Sequence, residues 1–170
     1  MKKATTTDLP ELTQLVNSAY RGDSSRKGWT TEADLLGGIR TSEASLTETI
    51  AQPNAAILLH RDAATDALIG CVYLEQKANL MYLGMLTVSP EIQAQGLGKK
   101  LLQEAEAYAR TLGCQVMEMT VISQRTELIA WYERRGYAPT GETRPFPMGD
   151  ERFGLPKTDL EFVVMRKALG

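Results

Sequence analysis

The stretch that decides the fold is residues 85–102, MLTVSPEIQAQGLGKKLL. It begins inside the apolar run LMYLGMLTV at 80–88, and such a continuous run predicts a strand that is buried on both faces. The strand stops at Ser89–Pro90. Beyond a short polar loop, apolar residues recur at helical spacing, at positions 97, 101, 102, 105, 108, 109 and 112. The stretch therefore joins a buried strand to a long helix, which Gly113 would cap.

The loop between this strand and this helix has the chemistry of an anion site. The first N–H groups of a helix have no internal partner, and the helix dipole places partial positive charge beside them. Gly96 and Gly98 allow close approach of the backbone, so that several N–H groups can converge on one anion, ideally a pyrophosphate. Lys99 and Lys100 disfavour the first helical turn unless an anion lies above them.

The glycine spacing alone leaves an ordinary strand-to-helix turn open as the alternative. The loop is not a P-loop, and it does not have the G-x-G-x-x-G spacing of a dinucleotide-binding loop. The spacing therefore counts against a nucleotide-binding oxidoreductase domain.

Regular patterns continue on both sides of this stretch. Four further helices are predicted, over Leu9–Tyr20, from Thr31 to about Ile39, over Ser45–Ala51 and over Thr126–Arg135. Further strands are predicted over Ala55–His60, Leu68–Gln76, Gln115–Ile122, from Tyr137 onward and over Leu160–Arg166. This order of elements predicts an α/β fold in which helices cover both faces of a mixed sheet.

Length and composition set the protein class. The chain has 170 residues, the size of one ordinary domain, so residues 1–170 are predicted to form a single domain. With 19 basic and 21 acidic side chains, the net charge of −2 gives no general attraction to nucleic acid or to an anionic membrane. Neither a transmembrane run nor a signal peptide is predicted. Cys71 and Cys114 are expected to be buried free thiols, which favours the cytoplasm.

Two stretches resemble the signatures of the GNAT superfamily of N-acetyltransferases. The acetyl-CoA signature [Q/R]-x-x-G-x-[G/A] is matched by Gln93, Gly96 and Gly98, and the upstream L-x-V-x-P by Leu86, Val88 and Pro90. RTELIAWYERRGY at 125–137 resembles the N-x-x-A-x-x-[LF]-Y-[ED]-[KR]-x-G-[FY] helix of the family. Arg125 stands where relatives usually have Asn, and Leu128 where they have Ala. Together the two signatures cover roughly residues 80 to 140.

The resemblance implies the GNAT fold, a mixed, mostly antiparallel twisted sheet of about six or seven strands that splays apart at its two central parallel strands. It also implies acetyl-CoA as co-substrate, with the pyrophosphate on the N–H groups of residues 94–99 and the pantetheine arm beside the buried strand. A backbone N–H near Leu86 would bind the thioester carbonyl. The expected cofactor-binding residues are Leu86, Val88, Gln93, Ala94, Gln95, Gly96, Leu97, Gly98, Lys99, Arg125 and Arg135.

The implied reaction is transfer of the acetyl group to a primary amine by direct attack in a ternary complex. By the resemblance, Tyr132 would protonate the departing thiolate, although a tyrosine at the rim of an amphipathic helix is also common. The attacking amine must be neutral, so a base is expected, and Glu118 and Glu75 are the candidates. The alternative for each glutamate is that it is a solvent-exposed strand residue without a catalytic role. The absence of an obvious base leaves open a non-catalytic acyl-CoA-binding regulatory or interaction module.

The acceptor site is expected at the loop YRGDSSRKGWT, residues 20–30. Tyr20 and Trp29 are candidates to wall an amine pocket, and the candidates to hold a carboxylate of the acceptor are Arg21, Arg26 and Arg40. A surface loop with one packed tryptophan is the alternative. The sequence does not decide between a small molecule and a peptide as acceptor, and it leaves a homodimer open. No metal site is expected, because no His, Cys or Asp cluster has zinc spacing.

Overall fold

The computed structural model describes residues 1–28, 30–92, 95–150, 152 and 154–170. The helices are α1 (Leu9–Tyr20), α2 (Gly22–Ser25), α3 (Glu43–Ala51), α4 (Leu97–Thr111) and α5 (Thr126–Glu133). The strands are β1 (Lys2–Lys3), β2 (Leu36–Gly37), β3 (Ala55–Arg61), β4 (Leu68–Lys77), β5 (Leu80–Val88), β6 (Val116–Ile122), β7 (Ala138–Pro145), β8 (Leu155–Pro156) and β9 (Glu161–Ala168). In this part of the chain, no helix combines the length and apolar character needed to cross a membrane.

The main sheet has the order β1-β3-β4-β5-β6-β9-β7, while β2 and β8 form a small separate ladder. Among the described strands, β5 and β6 form the one parallel pair, and the other neighbours in the main sheet are antiparallel. The expectation of a mixed, mostly antiparallel sheet of six or seven strands is confirmed.

Helices cover both faces of this sheet. On one face, α4 and α5 pack on Val72, Met81 and Met117 in the larger core cluster. On the other face, α1 and α3 pack on Ile57 and Cys71. Because alternate strand residues point to opposite faces, the neighbours Cys71 and Val72 belong to the two different clusters. Each fully buried leucine, valine or methionine in these clusters contributes about 1.5–3 kcal/mol relative to its exposed state.

The two parallel strands separate halfway along their length. Residues 80–83 of β5 pair with 116–119 of β6, after which the register between the two strands ends although both strands continue. Beyond this point β5 carries a bulge. Gly84 pairs with Tyr73 and Thr87 with Cys71, so two β5 residues lie opposite one β4 residue. Met85, inside the bulge, has φ of 50°, a left-handed conformation that is uncommon for a residue with a side chain. The predicted splay is confirmed.

The helix predicted from Thr31 to about Ile39 is wrong. This segment contains a turn, in which the amides of Leu35 and Leu36 both reach the Glu32 carbonyl, and then the short strand β2. Leu36 is buried and pairs with Pro156 of β8. Gly38 has φ of 73°, which a right-handed helix does not accommodate. Pairing with a segment more than a hundred residues away therefore overrides the local helical spacing.

Candidate active site

The N-terminus of α4 lies at the end of β5. Buried Leu101, Leu102 and Ala105 dock the helix on the sheet and so fix this position. Gly96 is the N-cap residue and has φ of 71°. The first hydrogen bond of the helix runs from the Lys100 amide to the Gly96 carbonyl, at 3.1 Å.

Among the residues that the structure describes, no side chain caps this end of α4, and the first turn of the helix contains no acidic residue. The N–H groups of Leu97, Gly98 and Lys99 precede the first helical hydrogen bond, so they have no partner within the helix. The predicted binding residues Gln93 and Ala94 lie outside the described residues.

A cavity of about 360 Å³, named here the α4 cavity, opens in front of this helix end. Val88 and residues 95–99 form one side, and Leu128, Trp131 and Arg135 of the α5 region form the other. The Arg135 guanidinium carbon lies 3.7 Å from the centroid of the Trp131 ring, and Arg135 Nη1 donates to the Trp131 carbonyl at 2.9 Å. Burial lowers the pKa of Arg135 from its ordinary value, yet the side chain stays cationic at neutral pH. Helix amides and a fixed cation thus line a cavity that suits a diphosphate.

A second cavity of about 250 Å³ fills the gap where β5 and β6 separate, and it is named here the splay cavity. Leu128 lines both this cavity and the α4 cavity, so the two are neighbours. Leu86 of β5 and Val121 of β6 lie on its two sides.

Tyr132 reaches the splay cavity from α5 and is only 5% exposed. Its ring packs edge-on against Trp131 at 5.1 Å and against Tyr137 at 5.7 Å between ring centroids. In the described part of the chain, no group is hydrogen-bonded to the Tyr132 hydroxyl. Burial raises the pKa of Tyr132 far above its ordinary value, so the hydroxyl stays neutral and can donate a hydrogen bond.

Tyr20 closes the opposite side of the splay cavity. Its hydroxyl donates to the carbonyl of Leu86, and burial raises the pKa of Tyr20 to about 12. The Ser89 amide donates a hydrogen bond to the Ile69 carbonyl of β4. Successive residues of a strand direct their backbone N–H and C=O groups to opposite sides, so those of Leu86 and Val88 point away from β4. Tyr20 therefore holds the Leu86 peptide group in the gap between the strands.

A third cavity of about 500 Å³ lies beside α3 on the other face of the sheet, and it is named here the α3 cavity. It shares Arg40, Tyr82, Gly84 and Met85 with the splay cavity, so the three cavities follow one another from one face of the sheet to the other. Glu75 lines the α3 cavity and accepts a hydrogen bond from the Tyr73 hydroxyl at 2.7 Å.

The two candidate bases have different surroundings. Glu118 is buried, and its carboxylate pairs with Arg166 at 2.7 Å and with Arg144 at 3.2 Å. Glu75 is half-buried, and no lysine or arginine within the described ranges lies at ion-pair distance from it. Glu118 is thus neutralised by two cations, whereas Glu75 faces a cavity.

A buried ion cluster that the sequence analysis missed lies beside the splay cavity. The Glu32 carboxylate pairs with Arg21 and, at 3.6 Å, with Arg125. All three side chains are at most 12% exposed. No local signal points to Glu32, because its partners lie in other segments of the chain. Of the predicted acceptor residues, Arg21 belongs to this cluster, and Trp29 lies outside the described residues.

Metal-binding side chains are not grouped in the described part of the chain: no three His, Cys, Asp or Glu residues there are placed to hold an ion.

Comparison with known proteins places this geometry in a family. A sequence model described as the Acetyltransferase (GNAT) family matches residues 10–137. An amino-acid acetyltransferase from Ralstonia nicotianae is 34% identical over 94 residues, which cover 50% of this chain and 20% of the relative. The chain thus aligns with about a fifth of the length of that relative.

Solved structures share the fold. The ribosomal-protein-S18-alanine N-acetyltransferase of Escherichia coli superposes with a TM-score of 0.71 at 17% identity, covering 99% of this chain and 92% of that one. A GNAT superfamily phosphinothricin acetyltransferase of Sinorhizobium meliloti, solved in complex with AcCoA, has a TM-score of 0.70 at 22% identity, covering 99% and 87%. Because the family match spans most of the sequence and the neighbours have the same fold, the chain belongs to the Acetyltransferase (GNAT) family.

Proposed function

We propose that the protein transfers an acetyl group from acetyl-CoA to a primary amine, with both substrates bound in a ternary complex. The observation that carries the proposal is the row of three neighbouring cavities, with the Tyr132 hydroxyl in the middle one. Such a passage lets the two substrates enter from opposite faces of the sheet and meet where β5 and β6 separate. Family membership supports the same activity.

The α4 cavity suits acetyl-CoA. The uncapped amides of Leu97, Gly98 and Lys99 would hold the diphosphate, with Gln93, Ala94 and Gln95 completing the loop. The backbone of Leu86 and Val88 would pair with the pantetheine arm, and the Leu86 N–H would bind the thioester carbonyl. When bound, acetyl-CoA supplies an acetyl group activated as a thioester, which an attacking amine converts to an amide with release of the thiol.

Arg135 and Arg125 are assigned to different substrates. Arg135, stacked on Trp131 in the α4 cavity, remains a proposed phosphate contact. Arg125 is directed to Glu32 beside the splay cavity, which favours a place on the acceptor side rather than at a phosphate.

Tyr132 is the proposed proton donor. As the carbon–sulfur bond breaks, the thiolate needs a proton or a hydrogen bond, and the neutral Tyr132 hydroxyl faces the same cavity. A proton given up by Tyr132 is restored from solvent, and the new carbon–nitrogen bond completes the amide.

Glu75 is the better-supported base. It lines the α3 cavity, where an ammonium group arriving from solvent could pass its proton to the carboxylate directly or through water. Its hydrogen bond from Tyr73 fixes the carboxylate without neutralising it. The ion pairs of Glu118 with Arg144 and Arg166 instead favour a role in holding β6, β7 and β9 together.

A thiol-release assay tests this function. The purified chain is mixed with acetyl-CoA and a panel of amines containing amino acids, amino-acid amides, diamines and short peptides, with amine-free and protein-free controls. The expected result is thiol release that requires an amine, together with acetylated product in the mass spectrum. Binding of acetyl-CoA without release for any amine would support a non-catalytic acyl-CoA-binding module instead.

A further inference from the structure

Arg40 differs from the other arginines of the acceptor side in its electrostatic surroundings. Three described arginines line the α3 and splay cavities, and two of them have acidic partners: Arg125 pairs with Glu32 and Arg152 with Asp150. Arg40 lines both cavities, and within the described ranges no carboxylate lies at ion-pair distance from it. No acidic side chain in the described part of the chain therefore balances the charge of Arg40.

The other two arginines that the sequence suggests as carboxylate ligands, Arg21 and Arg26, form ion pairs within the protein. Arg21 is buried against Glu32, and Arg26 pairs with Asp34 at 2.7 Å at the surface. Of the three arginines considered as carboxylate ligands, the structure leaves Arg40 with its charge available to a substrate.

The position of Arg40 is fixed on both sides. Asn17 of α1 accepts hydrogen bonds from the amides of Arg40 at 2.7 Å and Thr41 at 3.0 Å, and its own Nδ2 donates to the Thr41 carbonyl. The guanidinium lies 5.4 Å from the centroid of the Tyr20 ring. A half-buried guanidinium held over an aromatic face gains a further favourable contact when a planar carboxylate pairs with it.

We propose that the acceptor is a free amino acid and that Arg40 binds its carboxylate. The proposal rests on the acetyltransferase function above and specifies its substrate class. An amino acid presents an ammonium group and a carboxylate close together, and the α3 cavity presents Glu75 and Arg40. An amine without a carboxylate, such as a diamine or the amino terminus of a longer peptide, leaves Arg40 uncompensated.

The test compares each amino acid with its own amide, which keeps the side chain and replaces the carboxylate by a neutral group. Because this change also lowers the pKa of the amine, kcat/KM is expressed per neutral amine for both compounds. For the unchanged protein, kcat/KM for the acid is expected to exceed that for the amide by about 10- to 100-fold, the range of a charge-assisted hydrogen bond. Arg40→Gln should bring this ratio close to one, through a loss of kcat/KM for the acid that the amide does not share to the same degree. Arg40→Lys should restore part of the preference, because a lysine keeps the charge without the planar fork.

Arg26→Gln is the control, since it removes an arginine that pairs with Asp23 and Asp34 at the surface, and it should leave the acid-to-amide ratio unchanged. Equal use of acids and amides by the unchanged protein would overturn the inference, as would an Arg40→Gln variant that keeps the preference. Either result leaves the acetyltransferase function standing, whereas absence of thiol release with every amine rejects that function itself.

Discussion

At the residue scale, burial and pairing decide which side chains of the site can take part in proton transfer. Tyr132 is buried with its hydroxyl towards a cavity, while Glu118 is buried between two arginines. The family motif located Tyr132 from sequence because the motif fixes both the helix and the position on it. The pairing of Glu118 was beyond sequence reasoning, since Arg144 and Arg166 lie 26 and 48 residues away.

Removing the Tyr132 hydroxyl should slow turnover without loosening the fold. For Tyr132→Phe we expect kcat to fall by about 10²- to 10⁴-fold, the usual contribution of general acid catalysis. The ring contacts with Trp131 and Tyr137 remain, so the melting temperature and the acetyl-CoA affinity should change little. Steady-state kinetics and calorimetry measure these quantities. Unchanged turnover would remove Tyr132 from the proposed mechanism.

Neutralising Glu118 should primarily affect stability. Glu118→Gln removes two charge-assisted hydrogen bonds from a buried carboxylate, which we expect to cost about 1.5–3 kcal/mol in free energy of unfolding, because Arg144 and Arg166 are themselves partly exposed to water. Glu142→Gln is the control, because Glu142 pairs with the same Arg144 at the surface and should cost less than about 1 kcal/mol. Urea unfolding measures both variants. A stable Glu118→Gln protein without turnover would instead favour Glu118 as the base.

At the element scale, the strand–loop–helix unit was predictable and the acceptor side was not. The boundaries of α4 and β5 follow from apolar spacing and glycine placement, which are local properties of the sequence. The β5 bulge at Met85 and the β2–β8 ladder depend on pairing with distant strands, so the 31–39 segment was predicted as a helix. The Glu32 cluster was missed for the same reason.

The two ends of α4 allow a matched comparison. Gly96 and Gly113 have φ of 71° and 76°, and a Cβ at either position would meet no atom within 4 Å. Gly96→Ala and Gly113→Ala should therefore each cost about 1–2 kcal/mol in stability, through backbone strain alone. Gly96→Ala alone should weaken acetyl-CoA binding, because it distorts the amides at the helix N-terminus. Equal acetyl-CoA affinity in the two variants would argue against a diphosphate at this end.

At the scale of the whole molecule, the main sheet separates two helix-covered faces but is open where β5 and β6 stop pairing. Helices cover each face, and the separation of β5 and β6 leaves a passage that is lined by Leu86, Tyr132 and Arg40. The predicted fold class and the splay are confirmed. The family signatures cover β5, α4, β6 and α5, which surround the splay, whereas most of the other elements were predicted from apolar spacing alone. The single domain over residues 1–170 and the cytoplasmic location stay predictions.

The account depends most on the diphosphate site at the N-terminus of α4. Calorimetric titration with acetyl-CoA and, separately, with acetylpantetheine, which has the same thioester arm but no diphosphate, tests it directly. We predict saturable binding of one acetyl-CoA per chain, weakened by added salt, and much weaker binding of acetylpantetheine. No heat with acetyl-CoA, or equal affinity for the two compounds, would contradict the account.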